Sequence, residues 1–306
     1  MSLLDLIIIG AGPAGMTAAI YAKRKGLSLL VLTDSVGGQV SATGRVENYP
    51  GLGSVTGPEL VAAMRRHLDA LGVEIRLGRA SKLEKAGDNL KVTTVGGNAY
   101  DSRAVIIASG SHWRELGVPG EKEYKNRGVS YCATCDGPLF AGMDVAVVGG
   151  GNSAAEAVLD IINMVSKVYL VVRSTLKADK VMVDRIMESG KVTVLAGYTV
   201  ERIRGNDFVE QLDLVSKDGG RKALKVGGVF VEIGLSPNVD FARDMVQLND
   251  RGEIVVDGYC RTSVPGVFAA GDVTSVPQKQ IVVAAGEGAK AAMSAYAYLS
   301  TKSGGH

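Results

Sequence analysis

Leu4-Asp5-Leu6-Ile7-Ile8-Ile9-Gly10-Ala11-Gly12-Pro13-Ala14-Gly15 joins an apolar, β-branched run to a G-x-G-x-x-G turn. The run suits a parallel strand buried on both faces. A helical pattern follows from Met16 to Lys25, then a second strand from Leu27 to Leu32, with Asp34 close behind. Strand, glycine turn, helix, strand and acid make up a dinucleotide-binding unit. Each position has a physical reason. Gly10 permits the tight turn, Gly12 lets the backbone approach a pyrophosphate, and Gly15 lets helix pack on strand. The helix start, with Ala14 in it, offers free N–H groups and a positive dipole end to the phosphates. Asp34 either accepts from ribose hydroxyls or sits in a solvated loop past the strand end.

The unit recurs. Asp144 to Val148 reads as a strand, Gly149-Gly150-Gly151-Asn152-Ser153-Ala154 as a G-x-G-x-x-A turn, about Ala154 to Met164 as a helix, and Lys167 to Val172 as the next strand. One such fingerprint is weak evidence; two, each in strand–turn–helix context, are strong. Further strands are expected at Val73–Leu77, Leu90–Thr94 and Val105–Ala108, the last ending at Ser109-Gly110, a loop suited to closing over a nucleotide. Later ones fall at Val192–Leu195, Val209–Leu214 and Gly228–Ile233, after which Pro237-Asn238 breaks the pattern and suggests a return crossing between domains. Val267-Phe268-Ala269-Ala270-Gly271-Asp272 is a strand ending in Gly-Asp, and a small-residue helix spans about Ile281 to Leu299.

A chain of 306 residues has room for two domains of about 150 each. Net charge is +2, so no preference for nucleic acid or a membrane surface follows. No apolar run reaches the ~18 residues of a membrane span. Residues 1–12 superficially resemble a signal peptide, but they lack a basic start and carry Asp5. The chain has 3 cysteines, two of them in Cys132-Ala133-Thr134-Cys135-Asp136. That is no secreted disulfide framework, and a reducing cytoplasm is expected. Zinc needs four ligands, and Cys260, His67, His112 and His306 show no ligand spacing, so no metal is expected. A thioredoxin-like C-x-x-C is disfavoured too, because Trp113 is not adjacent and the preceding strand pattern is wrong. Two nucleotide sites and one vicinal dithiol imply an electron relay.

Along nearly its whole length the chain resembles low-molecular-weight thioredoxin reductases. Gly10–Gly15, Gly37-Gly38-Gln39, Val46-Glu47-Asn48-Tyr49-Pro50-Gly51, Cys132–Asp136, Gly149–Ala154 and Gly266–Asp272 carry the likeness. The C-terminal half is at least as similar to the flavoprotein subunit of alkyl hydroperoxide reductase, through Cys135–Phe140, Lys177-Ala178-Asp179 and Lys279-Gln280-Ile281 with Gly286–Lys290. That subunit bears an additional N-terminal part, and a start at the flavin domain is expected to favour the reductase. The resemblance implies an α/β fold of two Rossmann-like domains. A nicotinamide domain at 112–239 would be inserted into a FAD domain made of 1–111 and 240–306. Each would have a parallel sheet, helices and a smaller antiparallel layer.

The resemblance also implies roles. FAD would lie on the first turn, with Gly38, Gln39, Asn48, Gly110, Gly271, Asp272, Gln280 and Ile281 around it. Cys135 would be the thiol nearest the flavin, Cys132 the thiol that attacks a partner disulfide, and Asp136 the acid–base residue. Its alternative is a helix-capping carboxylate. Gly149, Gly151, Asn152, Ser153 and Ala154 would hold a pyridine nucleotide. No acid stands at the end of that unit's second strand, where the chain reads Val171-Val172-Arg173-Ser174, which disfavours NADH; Arg173 and Lys177 favour the 2′-phosphate of NADPH. NADH, ferredoxin or a reduced deazaflavin remain alternative donors. The expected enzyme is a homodimer reducing thioredoxin or a thioredoxin-like protein, with its two domains rotating about hinges near Gly110 and Gly234. The reductase of a peroxidase system is the runner-up. A ferredoxin–NADP reductase of this fold would lack the dithiol, and a non-catalytic redox sensor would not need Asp136.

Overall fold

The computed structural model describes residues 3–303; His306 lies outside them. The chain begins with β1 (Leu4–Ala11), α1 (Pro13–Arg24), β2 (Leu29–Val36), α2 (Gly57–Ala70), β3 (Ile75–Leu77), β4 (Ala80–Ala86), β5 (Asn89–Thr94), β6 (Ala99–Ile107) and β7 (Ser111–Trp113). It continues with β8 (Val129–Ser130), α3 (Ala133–Asp136), β9 (Asp144–Val148), α4 (Asn152–Ile161), β10 (Lys167–Val172), α5 (Lys180–Glu188) and β11 (Val192–Ala196). Then come β12 (Tyr198–Gly205), β13 (Val209–Ser216), β14 (Arg221–Lys225), β15 (Gly228–Val231), β16 (Leu235–Pro237), β17 (Val267–Ala269) and α6 (Ile281–Ser303).

Two compact units emerge, one of residues 1–112 with 236–306 and one of residues 113–235. The return point falls earlier than the Val239 expected. The reason is local: Asn238 N donates to Gly110 O, Ser109 Oγ donates to Asn238 O, and Val239 is buried in the first unit's core.

In the first unit, β3-β2-β1-β6 form a parallel sheet that β17 joins on β6, while β5 and β4 extend it antiparallel. The side chains of β1 alternate between two cores. Leu6 and Ile8 pack with α1 and α6; Ile7 and Ile9 pack with Leu83, Leu90 and Val92. Burial on both faces is why that strand reads as an unbroken apolar run. The helices α1 and α6 approach closely because their contact residues are small. A Cβ on Gly288 would lie 2.0 Å from Ala14 O.

The second unit repeats the plan. β11-β10-β9-β15-β8 are parallel, and β12-β13-β14 form a separate antiparallel sheet. Val145 and Val147 face α4, whereas Ala146 and Val148 face Leu212 and Leu214. β9 and β10 have the bounds expected from sequence.

Candidate functional site

In the first unit the glycine turn is shaped by backbone contacts. Gly10 has φ +108, and a Cβ there would lie 2.2 Å from Ala108 O. A Cβ on Gly15 would lie 1.9 Å from Gly10 O. Gly12 instead meets nothing within 4 Å. It is the N-cap of α1 and provides no side-chain cap, so the first N–H groups of that helix stay available to an anion. Two other expected residues, Gly38 and Gly271, lie against this turn. Gly38 has its nearest neighbour at Gly12 Cα, 3.7 Å from a Cβ, and Gly271 would place a Cβ 3.0 Å from Ala14 Cβ. Asn48 Nδ2 donates to Gln280 Oε1 at 3.2 Å. Gly110 has φ +66. Ile281 begins α6. Asp34 lies inside β2 rather than past its end, exposed, with Ser35 Oγ at 3.5 Å.

Two polar atoms here are buried without a partner: Gln39 Oε1 and Ser111 Oγ. Gln39 Nε2 donates to Ser111 O at 2.7 Å, so the two residues are already joined. Orphaned buried polar atoms beside an open glycine turn and an uncapped helix fit a polar cofactor. The carboxyl of Asp272 is pushed up by burial, with Lys279 opposing the shift. Lys279 forms a largely buried ion pair with Glu253 at 3.0 Å. The carboxylate of Glu287, also buried, accepts Gly271 N–H at 3.1 Å.

The second unit carries the same turn with a different third residue. A Cβ on Gly149 would lie 2.3 Å from Glu232 O, and Gly151 meets nothing within 4 Å. Gly151 is the N-cap of α4 and gives no side-chain cap. Asn152 makes a reciprocal pair with Asp179 at 3.0 Å on both bonds, so its amide is spent on the α5 entry. Ser153 is exposed at the head of α4, and Arg173 and Lys177 are exposed beyond β10. Lys177 N donates to Gly150 O at 2.7 Å, which holds this loop against the turn.

The dithiol lies in the same unit. Cys132 and Cys135 are joined as a disulfide. Cys132 is the N-cap of α3, and its Sγ accepts Cys135 N–H at 3.2 Å. That N–H would equally stabilise a thiolate. Asp136 does not cap a helix with its side chain. Its Oδ2 accepts Ser130 Oγ at 2.6 Å, and burial pushes its carboxyl up. Thr134 Oγ1 donates to Asp160 on α4 at 2.6 Å, so the dithiol helix is fastened to the helix of the second fingerprint. Among the described residues no group could hold a metal ion. No helix among them is long and apolar enough to cross a membrane.

Over residues 4–288 the chain matches the family model described as pyridine nucleotide-disulphide oxidoreductase. The chain belongs to that family. With membership come FAD and a pyridine nucleotide as cofactors. Among solved structures, thioredoxin reductase from Streptococcus pyogenes is 41% identical with a TM-score of 0.92, covering 98% of this chain and 99% of that one. Thioredoxin reductase from Giardia duodenalis is 33% identical with a TM-score of 0.93, covering 98% and 100%. Curated relatives include a subunit of alkyl hydroperoxide reductase from Staphylococcus aureus, 42% identical over 298 residues, and its counterpart from Pseudomonas aeruginosa, 44% identical over 303. The chain is 96% covered in both matches but spans only 59% and 58% of those relatives.

Ser111, Ser130 and Glu232 join these surroundings without belonging to any of the motifs, and Glu287 joins them too. Glu232 carried one signal, an acid placed directly after the apolar run Val229-Phe230-Val231. Glu287 stands within the Gly286–Lys290 likeness, whereas Ser111 carries no signal, since its contact with Gln39 joins positions distant in the chain.

Proposed function

We propose that this protein is a thioredoxin reductase, passing electrons from NADPH through FAD and the Cys132–Cys135 pair to the disulfide of a thioredoxin-like protein. The observation that carries the reading is the disulfide at the head of α3, fastened to the fingerprint helix α4 of its own unit. FAD, when bound, supplies the link between a two-electron hydride donor and a disulfide. Gly10, Gly12, Ala14, Gly15, Gly38, Gln39, Asn48, Gly110, Gly271, Asp272, Gln280 and Ile281 would hold it, with Asp34 open to the ribose. Gly149, Gly151, Asn152, Ser153 and Ala154 would hold the nucleotide. Cys132 attacks the partner's disulfide, and Cys135 resolves the mixed disulfide. Asp136 supplies a proton to the leaving thiolate; its raised pKa keeps the acid form populated at higher pH. A homodimer in the cytoplasm belongs to the same reading.

Two predictions test the roles. Asp136→Asn lowers turnover with a protein disulfide by about 10- to 100-fold. It also removes the decline in rate on the alkaline side that ionisation of an acid catalyst produces. An unchanged pH–rate profile refutes the role. Arg173→Ala combined with Lys177→Ala raises KM for NADPH by about 10- to 100-fold and leaves KM for NADH nearly unchanged. Equal effects on both nucleotides would remove these residues from the 2′-phosphate site. The kinship with the alkyl hydroperoxide reductase subunits favours a second reading, the reductase of a peroxidase system. A higher kcat/KM with the disulfide of a peroxidase than with thioredoxin selects it.

A further inference from the structure

Ser130 touches both Cys132 and Asp136, the first and last residues of the dithiol turn. It closes β8, the edge strand of the order β11-β10-β9-β15-β8, where Phe230 of β15 pairs with it. Tyr131 and Cys132 come next, so the chain passes from that strand straight into the redox pair. Successive side chains of a strand point to opposite faces. Tyr131 is buried against Trp113, with ring centroids 5.8 Å apart, and its hydroxyl donates to Glu121 Oε1 at 2.9 Å. The buried Glu121 carboxyl group also accepts the N–H groups of Leu116 and Gly117, at 2.8 and 2.7 Å. Tyr131 is thus pinned on one face, which fixes the backbone from which Ser130 projects on the other.

Ser130 is buried, and its hydroxyl both accepts and donates. Its oxygen accepts Cys132 N–H at 3.1 Å, and its proton goes to Asp136 Oδ2 at 2.6 Å. Cys132 O, 3.4 Å away, is the poorer acceptor for that one proton. Asp136 N–H in turn donates to Cys132 O at 3.0 Å. Ser130, Cys132 and Asp136 therefore close a ring of three hydrogen bonds around the head of α3. Asp136 Oδ1 has no hydrogen-bond partner among the described residues, so the bond at Oδ2 leaves Oδ1 to carry the acid proton outward. Burial pushes this carboxyl up, and the Ser130 bond pulls the other way. The titratable groups on α4, the helix packed against α3, are Glu156 and Asp160, and Asp160 is taken by Thr134.

We propose that Ser130 is a positioning residue of disulfide exchange, whose hydroxyl holds the Asp136 carboxyl and the Cys132 backbone in one frame so that the acid proton meets the departing thiolate. The proposal rests on the reading of Cys132 as the exchanging thiol and Asp136 as its acid. In the step concerned, the Cys132 thiolate attacks one sulfur of the partner disulfide. That S–S bond breaks, a mixed disulfide to Cys132 forms, and the other sulfur leaves with the electron pair and takes the Asp136 proton. Cys135 then attacks the Cys132 sulfur and releases the second thiolate. The dithiol ends as the Cys132–Cys135 disulfide, and its two electrons reside in the partner's thiols. An acid held in place matters only where the leaving thiolate is basic enough to need the proton. That dependence separates a positioned acid from a turn that is simply stable.

The test is single-turnover exchange by the full chain loaded with FAD, reduced with dithiothreitol and freed of it without air. Hydroxyethyl disulfide releases a basic thiolate, whereas dithiobis(nitrobenzoate) releases a stable aromatic one. The dithiol left at each time is counted by maleimide labelling after an acid quench, with Cys260 as a constant background. Ser130→Ala slows exchange with the aliphatic disulfide by about three- to tenfold. It leaves exchange with the aromatic disulfide within about twofold. Ser130→Thr keeps the hydroxyl and recovers the aliphatic rate. In an Asp136→Asn background Ser130→Ala has no further effect, since the group it positions is gone. An equal loss with both disulfides overturns the proposal, as does a threonine variant as slow as the alanine one, or a full loss in the Asp136→Asn background. Should Ser130→Ala lose its cooperative thermal transition, Ser130→Thr against Ser130→Val decides on the same criterion, because those two differ only in the hydroxyl. No electron donor or protein partner enters these measurements, so their failure leaves the proposed reductase standing. Exchange that survives Cys132→Ser would instead sink the reductase. An Asp136→Asn protein as fast as wild type with the aliphatic disulfide would remove the acid, and the role of Ser130 with it.

Discussion

Cys132→Ser or Cys135→Ser lowers the reduction of a protein disulfide by about three orders of magnitude or more. Disulfide exchange needs a thiolate and a second thiol to resolve the mixed disulfide, and serine supplies neither at neutral pH. The remaining thiol cannot substitute. Cys260 is fully buried, its Sγ lies 3.7 Å from Glu287 O, and its thiol is pushed up to about 11 by burial. Nucleotide binding should survive, because neither cysteine contributes to the Gly149–Ala154 turn. The measurement is kcat/KM with a thioredoxin-like disulfide, alongside nucleotide affinity by titration. Either serine variant retaining a tenth of wild-type turnover would defeat the relay.

The second large effect lies in the backbone. Gly15→Ala places a methyl group 1.9 Å from Gly10 O. No rotamer relieves this, since both atoms are fixed by the turn. A loss of about 3 kcal/mol or more is expected, together with loss of bound flavin. Thermal unfolding and the visible absorbance of the purified protein measure both. The second turn has Ala154 in the matching place, and it fits because the room is made at Gly149, where a Cβ would come within 2.8 Å of Ala154 Cβ. Gly151→Ala is the internal control. It meets nothing within 4 Å, so the fold should keep its Tm while the methyl group occupies space that the nucleotide needs. Wild-type stability and flavin content in Gly15→Ala would contradict this account.

Strands buried on both faces are legible because each holds an unbroken apolar stretch, Leu6–Ile9 in β1, Val145–Val148 in β9 and Leu170–Val172 in β10. The elements missed are those with thin apolar content. Only Leu224 is buried in β14 and only Ile186 in α5, so neither leaves a run to follow. Tertiary packing, not local pattern, makes them regular. The helix α2 has its start written in the sequence: Thr56 and Glu59 form a capping box, and Pro58 stands inside the first turn. Among site residues, the glycines were readable because their constraint lies in their own backbone. The Gln39–Ser111 contact and the placing of Glu232 were not, because both depend on which strand ends become neighbours. That is a property of sheet order, which no short window contains.

The places where the chain leaves and re-enters the first unit lie side by side. Arg114 N donates to Gly234 O at 3.0 Å within the second unit, and Asn238 N donates to Gly110 O at 3.0 Å within the first. Each unit therefore brings its own severed ends together. Joining the ends of either one across so short a gap costs little chain-closure entropy. Residues 113–235 are thus suited to excision, to circular permutation and to exchange between scaffolds as a self-contained cassette.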